Sequence, residues 1–408
     1  MNDVAHPADA ETLRQALIAK LRELGAIRTE PVAAAFATVW RHEFVPEVPL
    51  EQVYEPENAQ VTKRDQDGVA LSSISAARIQ ALMLEQADIR PGMRVLEIGS
   101  GGLNAALIAE MVGHDGAVTS IDIDADVIDR AERLLQATGY RRVNVVLADG
   151  ENGEPNHAPY DRIIVTAGAA DLAPAWQNQL AEDGRLVVPL RVQGLTRSIG
   201  FEREGRHLIG RDYHTCGFVP MQGTGECRER LLVLHDGEGV QVGLRVDDDR
   251  QIDAQRLGAA LREPASEAWS GMTLEKGMPY DDLDLWLATS LPTFALLATT
   301  RRARDSGLVA SWSPMGVAAI IEGDSFAYLT YRATSPERTA FEFGALGHGP
   351  DGVKAADRLA EQMRVWNSDL RDIRAVFRAF PLGTPEDQFP EGKVVNRRNF
   401  RHVISWPH

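Results

Sequence analysis

From Ser75 to about residue 220, short apolar runs of strand length alternate with amphipathic helical stretches. The runs are Arg94–Ile98, Ala117–Ile121 ending in Asp122, Val143–Leu147 ending in Asp149-Gly150, Tyr160–Val165 and Gly184–Pro189. Helical spacing lies between them, with Ile79, Leu82 and Met83 before the first, Ala106, Leu107 and Ala109 after it, and Val127, Ala131, Leu134 and Leu135 after the second. Near-continuous apolar strands joined through helices can bury both faces only in a parallel sheet with helices on either side. The alternation therefore predicts an α/β fold with a doubly wound, mostly parallel sheet. Two helices precede it. Leu13, Leu17, Leu21 and Leu24 mark one from Glu11 to Leu24 with Gly25 at its C-terminal cap, and Val32, Ala35, Phe36 and Val39 mark the other. Residues 47–70 are polar and read as a long irregular loop, a kind of segment that is more often functional than accidental. After Gly223-Thr224-Gly225 the alternation stops. Strand-like runs at Leu231–Leu234, Val240–Val246, Ala318–Ile321 and Ala327–Tyr331, with a helix around Ala356, Leu359, Met363 and Trp366, predict a second, α+β domain. The expected division is 1–80, 81–225 and 226–408.

The chain has 408 residues, 44% of them hydrophobic and 25% charged, as in an ordinary globular protein. A net charge of −16 argues against a general binder of nucleic acid or of anionic membranes, since either needs a basic footprint. Two cysteines, Cys216 and Cys227, exclude a disulfide scaffold and any all-cysteine metal site, and both read as chemically inert. The opening stretch Met1–Ala10 is polar and no apolar run is long enough to span a bilayer, so a cytoplasmic protein is expected.

Chemistry concentrates at the strand ends. Val95-Leu96-Glu97-Ile98-Gly99-Ser100-Gly101-Gly102 runs from a strand through a glycine-rich turn into a helix, where backbone can approach a ligand closely and helix N–H groups are free. Asp122 ends the next strand, where a carboxylate can take both hydroxyls of a ribose, and Asp149-Gly150 ends the third. The turn lacks the spacing of a pyrophosphate-binding loop, which favours a nucleoside ligand without phosphates. Asp122-Ile123-Asp124-Ala125-Asp126 is no calcium loop, because Val127 and Arg133 stand where a glycine and a glutamate are required. The ten histidines show no metal-ligand spacing, so no metal is expected. Lys63 and Arg64 read either as contacts to an acidic acceptor or as a solvated loop face. Lys393, Arg397, Arg398, Arg401 and His402 read either as a grip on an acidic peptide or as plain surface. Trp269, Trp286, Trp312 and Trp366 are expected to build the second core.

Over residues 10–225 the sequence resembles the protein-L-isoaspartate O-methyltransferases. The resemblance rests on Arg41-His42-Glu43-Phe44-Val45-Pro46, Ser73-Ile74-Ser75, Val95–Gly102, Asp122, Asp149-Gly150, Tyr160–Val165, Gly184–Pro189 and Phe218-Val219-Pro220. It implies a Rossmann-like methyltransferase with S-adenosyl-L-methionine as cofactor. It also implies cofactor contacts at Ser73, Glu97, Gly99, Ser100, Gly101, Asn104, Asp122, Ile123, Asp149 and Gly150, and a catalytic role for Ser75. Two departures stand out. Ala77 replaces the proline usual two residues after that serine, and Val61-Thr62-Lys63-Arg64-Asp65 replaces a segment usually rich in small residues. Trp269-Ser270-Gly271, Leu285-Trp286-Leu287-Ala288-Thr289, Gly323–Thr330 and Ile404-Ser405-Trp406-Pro407 look like the long members that act on ribosomally made precursor peptides in lanthipeptide, graspetide and related systems. That similarity implies methylation of an ordinary L-aspartate in such a partner peptide, with the ester then closing to an aspartimide.

Carboxylate methylation asks for little proton transfer, because the nucleophile is already ionised at neutral pH. A hydroxyl that hydrogen-bonds the carboxylate without neutralising it would align it, and Ser75 is the candidate. Its competing role is as the N-cap of the following helix. Repair of isoaspartyl damage and a non-catalytic scaffold are the alternative readings of the whole chain.

Overall fold

In a computed structural model residues 8–407 are described, apart from 228, 314 and 315. Of the polar opening stretch, residues 1–7 lie outside the described residues. Helices α1 (Ala8–Glu23) and α2 (Glu30–Thr38) and the short α3 (Leu50–Val53) precede a hairpin of β1 (Gln60–Arg64) and β2 (Ala70–Ile74). The segment expected to be irregular is thus largely ordered. Its strands were hard to read because the hairpin stands on the surface and few of its positions are buried, so no apolar alternation marks it.

The alternating region follows as α4 (Ala77–Ala87), β3 (Arg94–Ile98), α5 (Leu103–Val112), β4 (Ala117–Asp122), α6 (Ala125–Ala137), β5 (Asn144–Leu147), β6 (Tyr160–Val165), α7 (Pro174–Gln179) and β7 (Leu180–Val192). Strands β5, β4, β3, β6 and β7 lie side by side and parallel, and the order reverses direction at β3. A crevice at the carboxyl ends of the strands on either side of such a reversal is where open α/β sheets bind ligands.

Beyond β7 the sheet changes character. β8 (Leu195–Glu204) and β9 (His207–Thr215) continue it antiparallel. Gln193 and Gly194, both at positive φ (52° and 83°), make the two-residue turn that folds β8 back on β7. The expectation of a mostly parallel sheet is corrected to a mixed one, parallel in the half that carries the glycine turn.

The second sheet contains β10 (Arg230–Gly237), β11 (Val240–Val246), β12 (Ser266–Glu275), β13 (Phe294–Thr299), β14 (Val317–Glu322), β15 (Ser325–Ala333) and β16 (Ala340–His348), all antiparallel, in the order β10-β11-β13-β14-β15-β16-β12. It packs with α8 (Ala254–Ala260), α9 (Asp281–Ser290), α10 (Arg301–Asp305) and α11 (Gly352–Val365) around its own apolar core. Trp366 is buried in that core, with Trp286 and Trp312 packed against it. Trp269 instead lies under the guanidinium of Arg332.

The division at 225/226 does not follow the sheets. The last three strands, β17 (Val376–Pro381), β18 (Lys393–Asn396) and β19 (Phe400–Ser405), return to the first sheet, where β17 pairs with β9 and carries β19 and then β18 beyond it. No local pattern announces this, because β9 and β17 are far apart in sequence and pair only when the chain has closed on itself. Leu285 of α9 is buried in the first domain's core, and the Trp406 indole N–H donates to Thr289 Oγ1 at 3.0 Å.

One buried ion cluster pins the return. Asp247, just past β11, accepts from Arg191 Nε of β7 at 3.0 Å through Oδ1 and from Arg397 through Oδ2. Its side chain is only 3% exposed. Replacing Asp247 by alanine leaves two largely buried guanidiniums without their shared counter-charge. We expect Asp247→Ala to lose about 3–5 kcal/mol in urea unfolding; a loss below about 1 kcal/mol, the size of a surface pair, would show that the cluster does not hold the two sheets together.

Candidate active site

A cavity opens at the carboxyl ends of β3, β4 and β6. Its wall combines Ile98, Gly99, Ser100 and Gly101 from the glycine turn, Ile121, Asp122 and Ile123, and Gly150, Thr166 and Ala167, with Leu71, Ser72 and Ser73 of the hairpin and Val219–Gln222 closing it. Gly99 takes φ +102°, and a Cβ there would collide with Thr166 Oγ1; a Cβ on Gly101 would come within 2.8 Å of Ile74 Cδ1. The left-handed backbone and the Thr166 clash make glycine required at Gly99, whereas at Gly101 a larger residue would have to push the tip of Ile74 aside.

Asp122 is held by its own surroundings. Oδ2 accepts the Ser100 N–H and Oδ1 the Asp124 N–H, each at 3.0 Å. Burial pushes its carboxyl above the ordinary range, and these backbone donors oppose that shift. Seven of the expected cofactor contacts line the cavity: Ser73, Gly99, Ser100, Gly101, Asp122, Ile123 and Gly150.

The other three stand behind the wall. Glu97 is fully buried, with Ser120 Oγ 2.5 Å from its Oε2 and 2.8 Å from Ser100 Oγ, so it braces the turn from beneath. Burial pushes its pKa up to about 7, while hydrogen bonds from Ser120 and the Asn104 amide pull the other way. Asn104 sits in the first turn of α5, facing Glu97 rather than lining the cavity. Asp149 spends its carboxylate on backbone, accepting the Glu151 N–H through Oδ1 and the Thr224 N–H through Oδ2, both at 3.0 Å.

Lys63 and Arg64, read either as acceptor contacts or as a solvated loop face, both bond within the protein. Lys63 Nζ bonds Asp124 Oδ2 at 2.6 Å and Asp126 Oδ2 at 2.7 Å, which fastens the hairpin over the turn that follows Asp122. Arg64 donates to the Gly68 carbonyl at 2.8 Å inside its own hairpin. The acidic trio that imitates a calcium loop is accounted for in the same way, because Asp124 also caps α6 by accepting the Asp126 N–H.

The basic run near the C-terminus is neither an open grip nor plain surface. Arg398 donates to the Thr224 carbonyl at 3.0 Å and pairs with Glu151, Asn399 N–H donates to Asp171 at 2.6 Å, and His402 Nε2 lies 2.9 Å from Asp171 Oδ1. The turn before the last strand, together with His402 on that strand, therefore straps down the loops behind the cavity.

Ser75 follows the hairpin strand that lines the cavity but is not itself part of the lining. Its expected alternative, the helix cap, is not realised, because the N-cap of α4 is Ala76 and has no side-chain cap bond. Ala77, the departure from the family pattern, occupies the first helical position, where a proline would also fit without losing a hydrogen bond. Arg41, buried in the Arg41–Pro46 motif, donates to the Ser75 carbonyl at 2.5 Å, to the Val53 carbonyl at 2.9 Å and to Gln80. Desolvation lowers its pKa to about 10, so the guanidinium stays charged and fixes the backbone at Ser75. Val219 and Pro220 belong to the Phe218-Val219-Pro220 motif of the resemblance, whereas Thr166, Met221 and Gln222 enter the lining without a sequence expectation. Thr166 directly follows β6, a position that the strand-end rule singling out Asp122 also covers.

Cys216 is half-buried and desolvation pushes its thiol up to about 12, consistent with an inert side chain. Among the described residues, no helix is long and apolar enough to cross a membrane, and no three His, Cys, Asp or Glu side chains converge to hold a metal.

Because the Glu97 carboxyl ordinarily titrates near 4.5 and is raised to about 7 in the fold, folding favours its protonated form. The ligand-free protein should lose stability as pH rises through that window. Glu97→Gln, which cannot ionise, should be spared, so its stability relative to wild type should improve between pH 5 and pH 8 in urea titrations. A difference independent of pH would refute the assignment.

Residues 11–226 match the family described as Protein-L-isoaspartate(D-aspartate) O-methyltransferase (PCMT). The chain is 38% identical over 213 residues to the Protein-L-isoaspartate O-methyltransferase of Methanopyrus kandleri, covering 52% of this chain and 91% of that one. It is 36% identical over 212 residues to the enzyme of the same name from Pyrococcus horikoshii, covering 51% and 92%. A Plasmodium falciparum structure described as a protein-L-isoaspartate O-methyltransferase in complex with S-adenosyl-L-homocysteine aligns at 17% identity over 51% of this chain and 98% of that one, with a TM-score of 0.45. The chain belongs to the protein-L-isoaspartate O-methyltransferase family of S-adenosyl-L-methionine-dependent carboxyl O-methyltransferases.

Proposed function

We propose that the protein methylates an aspartyl-derived carboxylate in a polypeptide acceptor, with isoaspartyl residues, the substrate named for its relatives, as the leading acceptor. The observation that carries the reading is Asp122, oriented by two backbone N–H groups at the rim of a cavity whose floor is a glycine turn. Asp122 would accept the ribose hydroxyls, the Gly99–Gly101 backbone would lie against the nucleoside, and Ile98, Ile121, Ile123 and Val219 would keep water away. When bound, S-adenosyl-L-methionine supplies an electrophilic methyl group on a sulfonium. The chain's remaining task is to desolvate and align an acceptor already ionised at neutral pH. Ser75 would donate its hydroxyl proton in a hydrogen bond to one carboxylate oxygen, and Arg41 would hold Ser75 in place through its carbonyl.

A second reading is methylation of an L-aspartate in a ribosomally made precursor peptide. It is favoured by the cavity between the two sheets, described below, and by a hairpin rebuilt around the Lys63 ion pairs. There the nitrogen of the next residue would attack the new ester, expel methanol and leave an aspartimide in the acceptor.

The readings separate by mass spectrometry with S-adenosyl-L-methionine and matched isoaspartyl and L-aspartyl peptides. Methyl gain on the isoaspartyl peptide alone supports the first. Methyl gain followed by loss of methanol on the L-aspartyl peptide alone replaces it with the second, and no transfer to either defeats both. Ser75→Ala is expected to lower kcat about 10- to 100-fold with cofactor affinity unchanged, as befits a group that aligns the acceptor. Asp122→Ala is expected to weaken calorimetric cofactor binding by about 10-fold or more, the cost of losing a hydrogen bond to a charged group. The roles are wrong if the two effects exchange places.

A further inference from the structure

A second, larger cavity lies between the two sheets. From the methyltransferase side it takes Gly168, Arg191, Thr196, Arg197 and Phe218; from the other side it takes Glu229, Arg245, Tyr280, Asp284 and Trp312. Only one layer of backbone separates it from the cofactor cavity. Pro220 belongs to both linings and forms a parallel bridge with Gly168. There the Gly168 N–H donates to the Val219 carbonyl at 2.8 Å and the Met221 N–H to the Gly168 carbonyl at 3.0 Å.

The lining carries charges of both signs beside aromatic surface. Glu229 lies 3.7 Å from Arg245, and the Trp312 indole N–H donates to Tyr280 Oη at 2.9 Å. Arg197 is only 3% exposed and uses its terminal nitrogens on the Thr196 and Asp281 carbonyls, while its Nε has no partner. Among the described residues it has no carboxylate within ion-pair distance. Glu229 Oε1 and Asp284 Oδ1 are likewise buried without a partner. Buried donors and acceptors left unmatched are costly, and clusters of them mark places where something else supplies the partners. One unmatched donor, two unmatched acceptors and an aromatic wall suit a polypeptide, which brings N–H, C=O and mixed side chains together. A small apolar ligand, or one of a single charge, would match only part of this lining.

We propose that the cavity between the sheets is the subsite for the acceptor polypeptide, receiving residues beyond the immediate neighbours of the methylated one as an extended segment, with Trp312 and Tyr280 packing against its side chains. This rests on the methyltransferase reading above and adds where a long acceptor lies. The second domain then sets preference for long acceptors, and the cofactor site is left to the first.

The test compares wild type with Trp312→Ala, which removes the aromatic wall, and Thr196→Trp, which fills the cavity. The probes are a fluorescein-labelled isoaspartyl peptide of roughly six residues and one of roughly 25 with the same centre, at about 3.3 Å of extended chain per residue. L-aspartyl forms of both are included. Anisotropy in the presence of S-adenosyl-L-homocysteine measures binding without turnover, and methyl transfer is measured separately. Both variants should bind the long peptide about 10-fold more weakly (about 1.4 kcal/mol), while the short peptide and calorimetric cofactor affinity stay as in wild type. Equal binding of the long peptide by all three proteins overturns the proposal, as does a wild type that binds neither long form. Binding that both variants lose, without any methyl transfer, keeps the subsite and removes the proposed reaction.

Discussion

Strand β9 would be the open edge of the first sheet if the chain stopped at residue 225. An exposed row of backbone donors and acceptors invites pairing with other chains, and proteins cover such edges. Here the cover comes from the far end of the same chain, as β17 hydrogen-bonds along β9 and brings β19 and β18 with it. Residues 230–370 are therefore not an appendage on a flexible tether. They form a loop between two strands of one sheet, held at its base by Arg191, Asp247 and Arg397.

That closure shapes both cavities. The turn from β18 into β19, and β19 itself, bring Arg398, Asn399 and His402 to the loops behind the glycine turn, where they hold Glu151, Thr224 and Asp171. Thr224 in turn holds Asp149. The cofactor-side wall is thus braced by residues 174 to 247 positions further along the chain than the loops they hold. The same return sets the second sheet against β7 and β8, and the larger cavity is the space left between them.

Parts of this were legible in the sequence for stated reasons. Strands β3, β4 and β6 are buried on both faces, so their apolar runs declared them almost to the residue. Glycines in a strand–helix turn and an aspartate at the next strand end identified most of one cavity wall. The hairpin is not legible because β1 is polar and charged and β2 is mostly small and polar, so this surface ribbon has no apolar alternation to read. Asp149 and Asn104, expected as cofactor contacts, direct their side chains to backbone N–H groups and to Glu97, which no local pattern reveals. In the sequence Lys63 shows only its charge, because its partners Asp124 and Asp126 lie more than sixty residues on.

By itself, the sequence determined the parallel half of the sheet, the glycine turn, Asp122 at its rim and membership of a methyltransferase family, because each is written in residues close together along the chain. Only the tertiary structure decided which charges pair, where the last three strands go and what lies between the two sheets. Ion pairs such as Asp247 with Arg191 and Arg397, and the pairing of β9 with β17, depend on distance in space. A local pattern of residues carries no record of that distance.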